Sequence, residues 1–175
     1  MDERHAAWIE SPLDPDDISG YRELARRLST PVAAGETLRS VQQFRPWLES
    51  RALRIAQPDV MRAGLTAARR IAGLAAAYHC PVALHIGVST AIGMAATWQL
   101  AAALPNFAIQ EHQTDLFPAA NRVLRTPLVE DGGMLRVPDA PGLGISVDED
   151  FIRDHATEHW IVDRQGKRQA GGGSQ

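Results

Sequence analysis

The chain has 175 residues, 45% of them hydrophobic, and a formal net charge of −3, which suits one globular unit with its own core. Its 18 Lys and Arg residues are scattered rather than gathered into a stripe, which argues against nucleic acid as a partner. Cys80 is the only cysteine, the N-terminus is charged where a signal peptide is apolar, and the most apolar stretch, 89–104, contains Gln99 and is too short to span a bilayer; a cytoplasmic protein without internal disulfides or membrane contact is expected.

Residues 6–10 read as a first strand ending at Glu10. Asp14-Pro15-Asp16-Asp17 follows as a helix start, with an N-cap acid, a proline at the first helical position and acids in the first turn. That helix runs to about residue 28, where Ser29-Thr30-Pro31 ends it. Residues 32–35 form a second strand, with Glu36 after it. A helical segment over 37–50 contains Pro46, expected to kink or divide it. Residues 53–57 are a third strand, with Asp59 just beyond. The helix over 65–79 puts Ala68, Ile71, Ala72 and Ala75 on one face and leaves Arg62, Arg69 and Arg70 off it, as an outer-ring helix would. Cys80-Pro81 ends this helix, and residues 82–84 form a fourth strand leading to His85.

Ser89 or Thr90 caps the next helix, which is apolar or small almost all round. Such a helix must be covered on more than one side, by other chain segments or by a second subunit. Pro105-Asn106 ends it, residues 107–110 form a fifth strand, and Glu111 follows. Beyond that the rhythm breaks. Residues 129–137 read as two extended pieces around a turn, 138–144 as an irregular Pro- and Gly-rich loop, 148–155 as a short helix and 163–175 as a disordered tail. The division is a partial barrel over 6–126, a C-terminal extended and looped segment over 127–162, and the tail.

Glu10, Glu36, Asp59, His85 and Glu111 thus follow five successive strands, at spacings of 26, 23, 26 and 26 residues. Polar residues at the C-terminal ends of parallel strands converge on one pocket in a β/α barrel. A full barrel takes about 250 residues, so this chain reads as part of one. Glu10 and Glu36, on neighbouring strands, can share one divalent ion, and all-oxygen ligation points to Mg²⁺ or Mn²⁺. Asp59 beside His85 fixes the imidazole tautomer and raises its basicity, which suits a general base. Glu111 is a candidate acid or hydrogen-bond donor to substrate if the pocket raises its pKa. Gly87-Val88-Ser89-Thr90 opens a helix right after His85 and reads either as a carboxylate cradle or as an ordinary cap. His155-Ala156-Thr157-Glu158-His159 has the spacing of an inverted zinc-peptidase motif, but an exposed helix end is the better reading.

Several segments together make the resemblance specific: Trp8-Ile9-Glu10-Ser11-Pro12-Leu13, Gly35-Glu36, Gln57-Pro58-Asp59-Val60 with Gly64, His85, Glu111, and Pro141-Gly142-Leu143-Gly144. Over roughly residues 6–152 the chain resembles the enolase superfamily in its mandelate racemase-like branch. The resemblance implies the C-terminal part of a (β/α)7β barrel of the TIM type, with about five parallel strands and outer helices. It implies Glu10 and Glu36 as metal ligands for Mg²⁺, Asp59 and His85 as the base dyad, and Glu111 as the group bonded to the enolate. The implied reaction is removal of the proton α to a carboxylate. The third strand, Arg54-Ile55-Ala56-Gln57-Pro58-Asp59, carries no lysine, which separates the chain from lysine-using relatives. Sugar-acid dehydratases are the most numerous look-alikes in this branch, so the expected substrate is a small polyhydroxy acid; the alternatives are a non-catalytic or truncated fragment that needs a partner and, among enzymes, a racemase, epimerase or cycloisomerase. The family's first metal ligand, its earlier strands and its capping domain have no counterpart in residues 1–5, where Asp2 has no strand context. A chain of this extent is therefore expected to self-associate or to need a complementing chain, and to be inactive alone.

Overall fold

The computed structural model describes residues 6–157, 160–162 and 165–170. Five parallel strands form one sheet in chain order: β1 (Ile9–Glu10), β2 (Val32–Ala34), β3 (Ile55–Ala56), β4 (Val82–Leu84) and β5 (Phe107–Gln110). Helices α1 (Ile18–Arg27), α2 (Val41–Glu49), α3 (Val60–Ala63), α4 (Leu65–Ala77) and α5 (Ala91–Ala103) fill the connections. A short α6 (Phe117–Asn121), the hairpin β6 (Val129–Asp131) and β7 (Met134–Arg136), α7 (Glu149–His155), and the hairpin β8 (Trp160–Val162) and β9 (Arg168–Ala170) follow. The sheet and its outer helices are the C-terminal part of a TIM-type barrel.

Side chains alternate across a strand, and the two faces of this sheet bury different things. Val32, Ala34, Ala56, Val82 and Leu84 face the helices and join the main core, where Phe44, Trp47 and Ile71 are fully buried or nearly so. Ala33, Ile55 and Ala83 face the other way and form a separate cluster with Trp8 in the barrel interior.

The apolar helix α5 is covered within the chain. It packs on α3, α4 and β5, and a second core joins its Met94 and Trp98 to Leu124 and Leu128. Gln99, the polar residue of that helix, donates from Nε2 to the carbonyls of Pro138 (2.5 Å) and Leu143 (3.4 Å). The Pro- and Gly-rich loop is thereby tied to the barrel. Among the described residues no helix is long and apolar enough to cross a membrane.

Some boundaries differ from those expected. The cap of α1 is Asp17, not Asp14: Asp17 Oδ1 accepts from Gly20 N at 2.8 Å, while Asp14 closes a local turn by accepting from Asp16 N at 2.9 Å. Tyr21 decides the matter, because its hydroxyl donates to Leu13 O at 2.9 Å and its buried ring packs edge-on against Trp47. Pro46 lies inside α2 without dividing it, and α2 begins only at Val41, where Ser40 caps it. The tail expected to be disordered from Asp163 contains β9, which pairs antiparallel with β8.

Candidate active site

The strand register brings the chemistry-bearing side chains to one end of the sheet. On β1 the interior face carries Trp8 and Glu10; on β3, Ile55, Gln57 and then Asp59; on β4, Ala83 and His85; on β5, Ile109 and Glu111. Each series steps by two, the strand period. Parallel pairing continues past the strand ends, where Asp59 lies opposite His85.

Asp59 is buried and uses both oxygens. Oδ1 accepts from Met61 N (2.6 Å) and Arg62 N (3.1 Å), which makes Asp59 the N-cap of α3. Oδ2 lies 2.7 Å from His85 Nδ1. An ionised carboxylate only accepts, so the proton sits on Nδ1 and Nε2 is left as the basic nitrogen. Nε2 points toward Glu111, whose Oε2 is 3.9 Å away. Glu111 is itself fixed, with Oε2 accepting from Ile86 N (2.9 Å) and Oε1 from Gln113 Nε2 (3.2 Å).

The charges shift one another. Burial alone would lower the His85 pKa, but the Asp59 hydrogen bond and the negative charges of Glu111, Asp59 and Glu36 outweigh it, and His85 is raised above the ordinary histidine value. Burial would raise Asp59, but the His85 contact and the two α3 amides prevail and hold it below the ordinary carboxylate value.

Glu10 is exposed, and its Oε2 accepts from Gln57 Nε2 (2.7 Å) and Trp8 Nε1 (3.2 Å). Glu36 follows Gly35, whose φ of +124° only glycine adopts readily. Its carboxylate turns back to accept Ser11 Oγ on both oxygens (3.1 and 3.0 Å) and Gly35 N on Oε2 (3.1 Å). The two glutamates expected to share an ion are therefore set differently. Glu10 brings a ligand atom within 4.8 Å of those of His85 and Glu111, whereas Glu36 stands outside that group and reaches His85 through its charge.

Gln57, missed as a functional residue in the sequence, lies between these groups. It is buried, its amide nitrogen holds Glu10, and its Oε1 has no hydrogen-bond partner. An orphaned amide oxygen beside carboxylates fits a cation that takes oxygen ligands. Its signal was its place two residues before Asp59 on the interior face. Ser11 and Gln113, which orient Glu36 and Glu111, gave no comparable signal.

Thr90 precedes α5 without a side-chain cap bond. His155 Nδ1 lies 2.8 Å from Phe151 O and its ring stacks on Phe151; Glu158 and His159 lie outside the described residues, as does Asp2.

Residues 1–151 match the family described as Enolase C-terminal domain-like. D-xylonate dehydratase of Haloferax volcanii is 36% identical over 153 residues, covering 86% of this chain and 37% of that protein. N-succinylamino acid racemase of an Amycolatopsis species is 33% identical, covering 87% and 42%. o-Succinylbenzoate synthase of Bacillus subtilis is 30% identical, covering 95% and 45%. A crystal structure of a mandelate racemase/muconate lactonizing enzyme-like protein from Rubrobacter xylanophilus superposes with a TM-score of 0.77 at 34% identity, over 85% of this chain and 38% of that one. The chain spans less than half the length of these relatives. With five parallel strands, a family match over residues 1–151 and this similarity, the chain belongs to the enolase C-terminal domain-like family of mandelate racemase-type proteins.

Proposed function

We propose that the chain carries the base and carboxylate side of an active site that removes the proton α to a carboxylate, with a sugar acid as substrate and loss of water as outcome. The observation that carries this reading is the Asp59–His85 contact of 2.7 Å, which leaves Nε2 free and basic at the mouth of the strand ends. His85 Nε2 takes the α-proton. Asp59 holds the ring and stabilises the imidazolium that forms. Glu111, beyond Nε2, faces the oxygen that gains charge and donates a hydrogen bond to it only in its protonated form. The His85 imidazolium then passes that proton to the β-hydroxyl, which leaves as water as the carbon–carbon double bond forms, so one residue serves as base and then as acid.

Mg²⁺, with Mn²⁺ as the substitute, is the cofactor in this reading: Glu10, whose ligand atom lies within 4.8 Å of those of His85 and Glu111, would hold it with the free oxygen of Gln57 beside it, and Glu36 would join only by giving up its hydrogen bonds from Ser11 and Gly35. When bound, such an ion offsets the negative charge on the substrate carboxylate as the proton leaves. The dehydratase relatives favour the sugar-acid class; the racemase relative favours a shared first step with another outcome, isomerisation.

A second reading concerns assembly. Among the described residues β1 and β5 are each paired on one side only, and Phe107 and Ile109 are exposed on β5. The chain then works only with further strands that close the barrel, from the same protein or from a complementing chain.

Solvent exchange tests both readings. With Mg²⁺ in D2O, the α-proton of an aldonic acid should exchange in the closed assembly, and His85→Asn should abolish that exchange. The 175-residue chain alone should show neither exchange nor dehydration. Exchange that survives His85→Asn refutes the base assignment, and rapid turnover by the isolated chain refutes the need for more strands.

A further inference from the structure

The opposite end of the sheet holds a cavity. It has a volume of about 570 Å³ and is framed where α1, α2 and α4 end and β3 begins. Arg26, Arg51, Arg54 and His79 line it around an apolar floor that includes Leu48 and Leu53.

Two of these residues have unusual backbones. α2 and α4 both end with a hydrogen bond reaching five residues back, Ala52 N to Trp47 O (3.0 Å) and Cys80 N to Ala75 O (2.9 Å). The residue before each donor must then take a left-handed conformation, a place where glycine is the unstrained choice. Those residues are Arg51 (φ +56°) and His79 (φ +55°). At both stops the chain accepts strain and places a nitrogen-rich residue at the rim of the same cavity. Strained positions of this kind concentrate at ligand sites.

The cations are also without counter-charges. No carboxylate of the described residues forms an ion pair with Arg26, Arg51 or Arg54. Glu23 and Glu49, the sole acids of α1 and α2, already pair with Arg27 and Arg45, and α4 has no acid. Arg54 Nη2 donates to Ala25 O (3.2 Å), which holds its guanidinium at the cavity wall. Burial pushes the Cys80 thiol up to about 11, so it adds no negative charge.

We infer that this cavity is a binding site for a small organic phosphate, with the phosphoryl oxygens on the guanidiniums and the apolar body on the floor. Guanidinium matches phosphate geometry in paired hydrogen bonds, and the volume lies in the range of small-molecule sites. The site is separate from the strand-end acids and does not depend on their role.

The ordinary alternative is that these cations only stabilise three helix C-termini. Titration calorimetry of the full chain with phenyl phosphate, ADP and inorganic phosphate, in EDTA so that no metal at the strand ends binds the anion, separates the two. Saturable binding is expected, tighter for phenyl phosphate and ADP than for inorganic phosphate. Arg51→Gly and His79→Gly relieve the backbone strain, so both variants should fold with unchanged or higher thermal midpoints. Arg51→Gly should weaken binding about tenfold and Arg26→Gln by a smaller factor, while Glu10→Gln should leave it unchanged. Absence of saturable binding by the wild-type chain overturns the inference. So does binding that Arg51→Gly and Arg26→Gln leave intact, or that Glu10→Gln abolishes.

Discussion

The two ends of the sheet treat charge in opposite ways. At the C-terminal ends, Asp59, Glu36, Glu111 and Glu10 each accept hydrogen bonds from a neighbour that fixes their direction. At the N-terminal ends, Arg26 and Arg51 are exposed cations without ion pairs among the described residues. Preorganised groups suit chemistry, where a fixed dipole must meet a developing charge. Unpaired groups suit binding, where an incoming anion supplies the missing partner. Parallel strands make the division possible, since every C-terminus lies at one end.

The largest expected effect falls on the fixed end. In a closed, active assembly, His85→Asn should lower turnover by about 10²–10⁴-fold, the usual contribution of a general base. Asp59→Asn should also depress turnover while leaving substrate affinity nearer to wild type; steady-state kinetics would separate the two parameters. An unchanged rate in either variant would remove the contrast between the ends.

Next comes Gly35→Ala. A Cβ there would lie 2.6 Å from two ring carbons of Phe44, at a φ of +124°. A loss of about 2–4 kcal/mol in unfolding free energy is expected by denaturant titration, from strain and core displacement together. A neutral result would mean that Glu36 is not held by this turn.

The pH dependence is gentler. His85 is raised, so its contribution to stability is complete below the ordinary histidine value and is lost as pH rises through the raised one. Asp59 is lowered, so its contribution is present above the ordinary carboxylate value and is lost as pH falls through the lowered one. Metal-free chain should be most stable between these limits, and His85→Asn should flatten the alkaline side. The smallest effect is at the other end, where Arg51→Gly should gain about 1 kcal/mol by relieving its left-handed backbone.

Much of this layout was legible in the sequence. Five apolar runs each followed by a titratable residue gave the five strands and their order, because strand-end position needs only local pattern. Long-range geometry was not legible. Glu36 is turned by Ser11, 25 residues away, which no local rule links to it. Asp14 and Asp17 are equivalent as caps until Tyr21 meets Trp47 across the first two helices. The pairing of β9 with β8 was hidden because a Gly-rich terminus reads as disorder when its partner strand is not considered.

Asp59 joins two events usually kept apart. The amides of Met61 and Arg62 hold its carboxylate only while residues 60–63 are coiled. If that single turn frays, the imidazole loses the orientation that leaves Nε2 basic, although no residue has changed. Under the proposed assignment of His85 as base, local opening of this one short helix would be an off state, and hydrogen-exchange rates at Ala63 and Gly64 would report how often the chain visits it.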